Sequence, residues 1–143
     1  MRRTASGCEI DLLGRVVGEG TAWLNQLAPG DIVDVLGPLG RAFTTPPAKH
    51  RVILVAGGIG LPPIRWLGET LRTSGIECIA FYGALTRDLL PIAMTNEPMR
   101  DAAPTMCVEE FARHGIPTAI TTDDGTCGLV GRVTEALNRY LDG

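Results

Sequence analysis

Three glycines fall within four residues where an apolar run ends, in the stretch "RVILVAGGIGLPPIRWLGETLR" from Arg51 to Arg72. Gly57, Gly58 and Gly60 let the chain turn tightly and let a ligand approach the backbone. Pro62 and Pro63 suit a first helical turn, where amide donors have no intrahelical partner. The remaining amides and the helix dipole favour an anion by about 0.3–2 kcal/mol, so the spacing offers a seat for phosphate or pyrophosphate. Two stricter motifs are excluded. Pro63 stands where G-x-G-x-x-G, begun at Gly58 and Gly60, places its third glycine, and no Gly-Lys-Ser/Thr follows. A second candidate is Asp123 with Asp124, at the end of an expected strand. A carboxylate there accepts hydrogen bonds from a ribose and repels a 2′-phosphate, favouring NAD over NADP, although Asp-Asp-Gly is also good turn chemistry.

Other reactive side chains form no constellation. Cys8, Cys78, Cys107 and Cys127 lie far apart without a C-x-x-C pair, and His50 and His114 are isolated. That pattern predicts neither a metal site nor a catalytic triad, and no catalytic residue is assigned.

The elements that position the glycine turn follow from hydrophobic period. "RVILVA" is apolar nearly throughout, as expected of a strand covered on both faces. Ile64, Leu67 and Leu71 recur at helical spacing between about Pro62 and Ser74, and Gly75 closes that helix. "IECIAFYGA" is a second strand, "CVEEFARHG" a helix and "IPTAITT" a third strand. "GRVTEALNRYLDG" is a final helix with Val133, Leu137 and Tyr140 or Leu141 on one face. The segment from Thr86 to Pro104 is read as short helices, one starting at "TRDLL" and one broken by Pro98. Strand and helix in alternation predict a parallel sheet with crossover helices.

Upstream, "RAFTTPPAKHR" (Arg41 to Arg51) is read as a linker. Before it, "CEIDLLGRVV" and "DIVDVLGPLG" are expected strands, and Thr21 is the expected N-cap of a short helix through Trp23, Leu24 and Leu27. Two strands and one short helix cannot bury a core alone. The expected fold is therefore α/β, a parallel doubly wound nucleotide-binding sheet (46–143, short of its last strand) preceded by the remnant of a β-barrel (1–45).

The 143 residues are 45% apolar and 20% charged with a net charge of −3, the composition of one soluble globular domain or slightly more. The balance gives no reason to expect nucleic acid or an anionic membrane as partner. Glu9 and Asp11 interrupt what would have to be the apolar part of an export signal, and no run approaches the ~20 residues of a spanning helix. A cytoplasmic location is the resulting expectation.

Taken together, three stretches resemble the ferredoxin-NADP reductase superfamily. "GGIGLPP" after a hydrophobic strand is similar to its pyridine-nucleotide turn G-G-G-I-G-x-A-P, matching at Gly57, Gly58, Ile59, Gly60 and Pro63. "VVGEGTAWLNQLAPGDIVDVLGPLGRAF", Val16 to Phe43, is similar to the end of its flavin-binding barrel. "TTDDGTCGLVGRVTEAL", Thr121 to Leu137, resembles a stretch found in one branch, the electron-transfer subunits of dihydroorotate dehydrogenase B. The three cover most of the chain in the family's order.

The resemblance implies FAD and NAD as cofactors. It places Gly20 and Thr21 at the flavin diphosphate and Arg15 near the flavin or its phosphates. Arg3 and Ser6 stand in the family's Arg-x-Tyr/Phe-Ser flavin motif, where Ala5 replaces the aromatic residue. It further implies hydride transfer from NADH to flavin, then single electrons passing through a [2Fe-2S] centre to a dihydroorotate-handling partner subunit in pyrimidine biosynthesis. The cluster's cysteine ligands lie beyond the point where this sequence stops, so weak flavin binding and no complete relay are expected of the chain alone. Alternatives are an NAD-binding subunit of a hydrogenase or flavin reductase, and a non-catalytic nucleotide-binding module. Apolar sheet edges and barrel surface left open would call for a partner chain or self-association.

Overall fold

The computed structural model describes residues 2–4, 7–44 and 51–143. The chain divides into two compact units, Met1–Thr44 and Thr45–Gly143.

In the first unit, strands β1 (Arg2–Thr4) and β2 (Gly7–Glu9) pair antiparallel, and helix α1 spans Glu19–Asn25. The expected strand over 8–17 is formed only at its start, and the expected strand over 31–40 is not formed. The reason is physical: a strand exists by pairing its backbone with a neighbour. Here Ile32 and Leu36 are 90% and 85% exposed, and Leu12 and Val17 of the first segment 71% and 79%, so among the described residues neither segment packs its apolar side chains on a neighbour.

The second unit carries the core. Strands β3 (Arg51–Gly57), β4 (Glu77–Ala84), β5 (Thr118–Thr122) and β6 (Leu129–Val130) form a parallel sheet in the order β3-β4-β5-β6. Helix α2 (Leu61–Thr73) crosses from β3 to β4, and the short helix α3 (Glu109–Ala112) precedes β5. Helix α4 (Val133–Asp142) follows β6. Alternation along each strand divides the apolar side chains between two faces. Leu54, Ala56, Ala80, Tyr82 and Ile120 pack with Leu61 and Leu71 of α2 and Phe111 of α3. Ile53, Val55, Ile79, Phe81 and Ala119 pack with Val133, Ala136, Leu137 and Tyr140 of α4. Both faces are covered, which is why these strands are apolar almost throughout.

The two-residue β6 escaped the sequence reading because it is too short for any periodicity. No helix forms between Thr86 and Pro104: a 3-10 turn spans Arg87–Leu89, and the segment is then held by bridges Met94↔Val108 and Thr105↔Thr118. Backbone hydrogen bonds between 93–95 and 107–109 satisfy part of that segment without a helix.

Candidate functional site

The glycine turn lies at the carboxyl edge of the sheet, where open α/β folds bind ligands. β3 ends at Gly57, a single 3-10 turn spans Gly58–Gly60, and α2 begins at Leu61. Gly58 has φ +48, the left-handed region that costs an L-residue about 1–2 kcal/mol. A Cβ at Gly58 or Gly60 would meet no protein atom within 4 Å, so both residues present bare backbone to open space. The Gly58 carbonyl points inward. It accepts hydrogen bonds from the Leu61 amide and from the Tyr82 hydroxyl on β4, the latter at 2.8 Å.

Pro62 and Pro63 occupy the first turn of α2 and contribute no N–H, and the Leu61 amide is already bonded to Gly58. The donors for an anion must therefore come from the 3-10 turn itself rather than from α2, which refines the expectation drawn from the helix terminus. The packing role that G-x-G-x-x-G assigns to its third glycine falls to Gly68. A Cβ there would stand 2.8 Å from Leu54 Cδ1 and 3.0 Å from Ile116 Cδ1, so this glycine sets how closely α2 lies on the sheet. An isolated glycine inside a helical pattern was the available signal for it.

In register, Gly57 is opposite Gly83 and Gly83 is opposite Thr121, so the glycine turn and the Asp123-Asp124 loop share one rim with β4 between them. The loop is stapled by its own side chains. Thr122 Oγ1 accepts from the Cys127 amide and donates to the Cys127 carbonyl, both at 2.9 Å. Asp124 Oδ1 accepts from the Thr126 amide at 3.0 Å and from the Thr126 hydroxyl at 2.7 Å. These hydrogen bonds hold the Asp124 carboxyl below its usual range. Thr126 Oγ1 also accepts from the Arg87 amide at 2.9 Å. The Asp123 carboxylate is exposed and makes no hydrogen bond or ion pair among the described residues.

In the first unit a groove of about 330 Å³ is lined by Leu12–Val16, Thr21, Leu24 and Asn25, so Arg15 and Thr21 share one surface. Thr21 is not the N-cap of α1. Gly18 holds that position, and Thr21 reaches back from the third helical residue. Its hydroxyl accepts from Val17 N at 2.9 Å and Gly18 N at 3.1 Å and donates to Gly18 O at 3.0 Å. In this arrangement its hydroxyl proton is directed to the Gly18 carbonyl. A Cβ at Gly20 would meet open space, so its backbone is accessible to a ligand, as is the exposed Arg15. Arg3 lies on β1 opposite Cys8, and Ser6 and His50 lie outside the described residues.

Cys78, Cys107 and Cys127 are buried, and burial pushes each thiol up, away from the reactive thiolate. Among the described residues no three His, Cys, Asp or Glu side chains are grouped to hold a metal, so nothing described fits an iron–sulfur centre. No helix is long and apolar enough to cross a membrane.

Comparison with known proteins now bears on this geometry. The chain is 38% identical over 97% of its length to the dihydroorotate dehydrogenase B (NAD(+)) electron transfer subunit of Geobacillus thermodenitrificans, covering 51% of that protein. It is 39% identical over 96% of its length to the corresponding subunit of Geobacillus kaustophilus, again covering 51%. These similar proteins are all electron-transfer subunits of dihydroorotate dehydrogenase B. It spans about half the length of the curated relatives it matches. A solved NADH-dependent reduced ferredoxin-NADP oxidoreductase superposes with a TM-score of 0.67 at 28% identity, covering 90% of this chain and 41% of that one. No protein-family model matches the sequence.

Proposed function

We propose that the second unit binds NADH at the Gly57–Gly60 turn and that the chain serves an oxidoreductase subunit of this family. Electrons would pass through FAD between the nicotinamide and a dihydroorotate dehydrogenase catalytic subunit, with NAD+ as acceptor when dihydroorotate is oxidised. The observation that carries the reading is the turn itself: bare glycine backbone at Gly58 and Gly60, on the carboxyl rim of a parallel sheet, at the start of a helix. The relatives' printed name, an electron transfer subunit of an NAD(+)-linked dehydrogenase, supports a nicotinamide at one end of the electron path.

In this reading Gly57, Gly58 and Gly60 cradle the pyrophosphate, Pro63 fixes the start of α2, and the aspartate loop on the same rim meets the adenosine. FAD supplies the hydride-accepting, one-electron-donating chemistry when bound. In the first unit Arg15 and the Gly20 backbone would contact its diphosphate, with Arg3 and Ser6 assigned to the flavin by resemblance alone. Calorimetric titration of the purified chain with NADH tests the NAD site, and the visible spectrum of the native protein tests the flavin. Saturable NADH binding is expected. Absence of heat with both NADH and NADPH from a folded chain would overturn the reading in favour of a non-catalytic module.

A further inference from the structure

We infer that Asp123, and not Asp124, is the residue that selects a nicotinamide cofactor lacking a 2′-phosphate. The inference rests on the reading of the rim as an NADH site. The adjacent aspartates are equivalent in sequence, and their surroundings separate them. Asp124 Oδ1 already accepts two hydrogen bonds from Thr126, and the Thr126 hydroxyl, having given its proton to Asp124, takes the Arg87 amide on its oxygen. Drawing the Asp124 carboxylate toward a ribose would break both of its hydrogen bonds to Thr126, which orient the threonine that accepts from the Arg87 amide. That makes Asp124 a positioning residue.

Both aspartates are exposed and both amides are bonded to the segment at the end of β4; Asp123 differs in its carboxylate. Its carboxylate is exposed and has no partner among the described residues. Its backbone is fixed: the Asp123 amide donates to the Ala84 carbonyl at 3.1 Å, extending by one residue the β4–β5 pairing that ends with Ala84 opposite Thr122. A rigid backbone with an uncommitted carboxylate is what a specificity contact requires. Between Gly57 and Thr121 lie two strand spacings, about 10 Å, a span that an AMP moiety extended from the turn covers. The nearby guanidinium of Arg87 faces Glu97 at 3.4 Å in an exposed ion pair. An ionised Asp123 would accept both ribose hydroxyls of NADH and repel the extra phosphate of NADPH.

The test is calorimetric titration of the full chain with NADH and NADPH for wild type, Asp123→Asn, Asp123→Ser and Asp124→Asn, with a Tm for each. Wild type is expected to prefer NADH. Both Asp123 variants should shrink that preference about tenfold or more, the worth of a hydrogen bond to a charged group, with unchanged Tm and with tighter NADPH binding in Asp123→Asn. Asp124→Asn should lower Tm and keep the preference. An undiminished preference in both Asp123 variants, or its loss in Asp124→Asn alone, would overturn the assignment. Equal affinity of wild type for both nucleotides would overturn it while leaving the NAD site standing. Binding of neither would remove the site and the assignment together.

Discussion

The Tyr82 hydroxyl, on a side chain with no solvent exposure, donates a 2.8 Å hydrogen bond to the Gly58 carbonyl in the neighbouring turn. Tyr82 stands on β4 opposite Ala56 of β3, so the contact reaches past the end of β3 to the first residue of the glycine turn. In a trans peptide the carbonyl and the following N–H lie in one plane and point in opposite directions. Holding the Gly58 carbonyl inward therefore turns the Ile59 N–H outward, toward the open space that Gly58 and Gly60 face. A side chain on one strand thus orients a backbone donor in the loop of the next.

Tyr82→Phe keeps the ring and its packing and removes only this donor. The Gly58 carbonyl keeps the Leu61 amide, so the expected loss of stability is that of an ordinary hydrogen bond, about 0.5–1.5 kcal/mol. NADH affinity is expected to fall by a larger factor than that of an exposed control substitution such as Trp66→Phe on α2. Urea unfolding and NADH titration of the same variant measure both. Wild-type affinity in Tyr82→Phe would show that the turn is oriented without this contact.

The same phenol gives stability an alkaline limb. Burial pushes the Tyr82 pKa up to about 12, against about 10 for an unfolded tyrosine. Between these values the unfolded chain has lost the proton and the folded chain retains it, so stability falls as pH rises. The contribution is complete below about pH 10 and is lost as pH passes through the folded value of about 12. Subtracting the Tyr82→Phe unfolding curve from that of wild type over this range should isolate the fall. Parallel curves would contradict it.

The core of the second unit was legible in the sequence because its signals are local and repeated. "RVILVA", "IECIAFYGA" and the 3, 4 spacing through Ile64, Leu67 and Leu71 each carry their period over a full element. Gly75 ends α2 with φ +80, as its position suggested. The contacts that shape the candidate site were not legible, because they join residues far apart in sequence: Tyr82 to Gly58, Gly68 to Leu54 and Ile116, Thr126 to Arg87. The division of labour between Asp123 and Asp124 was hidden for a related reason. It depends on a threonine two residues onward whose hydroxyl could have turned elsewhere. In the first unit the β-period of "DIVDVLGPLG" was real, but a period states only which face a strand would bury, and among the described residues Ile32, Val35 and Leu36 stay exposed.

Gly58 and Gly60 can be separated experimentally, since their backbones differ. Gly60 has φ −72 and open space at its Cβ, so Gly60→Ala meets neither strain nor clash and should leave stability unchanged or raised by about 0.4–1 kcal/mol. Gly58, at φ +48, should lose about 1–2 kcal/mol on the same change. Both methyls enter the space assigned to the pyrophosphate. A Gly60→Ala chain that is as stable as wild type but binds NADH more weakly would therefore report ligand approach rather than folding. Undiminished NADH affinity in Gly60→Ala would move the pyrophosphate away from this residue.

Gly68 tests how the turn is braced from behind. In an exposed helix Gly→Ala gains about 1 kcal/mol of helix propensity. Here the new methyl would stand 2.8 Å from Leu54 Cδ1 and 3.0 Å from Ile116 Cδ1, both buried beneath α2, and overpacking of this kind costs about 1–3 kcal/mol. The second effect should win or nearly cancel the first, so Gly68→Ala is expected to be neutral to destabilising where helix propensity alone predicts a gain. Leu54→Val shortens the side chain that the methyl meets. Combined with Gly68→Ala it should cost less than the sum of the two single changes, a coupling readable in a double-mutant cycle because the residues touch. Strict additivity would mean that α2 shifts as a body to make room. NADH affinity would then fall in Gly68→Ala as well, since the same helix carries the end of the Gly57–Gly60 turn.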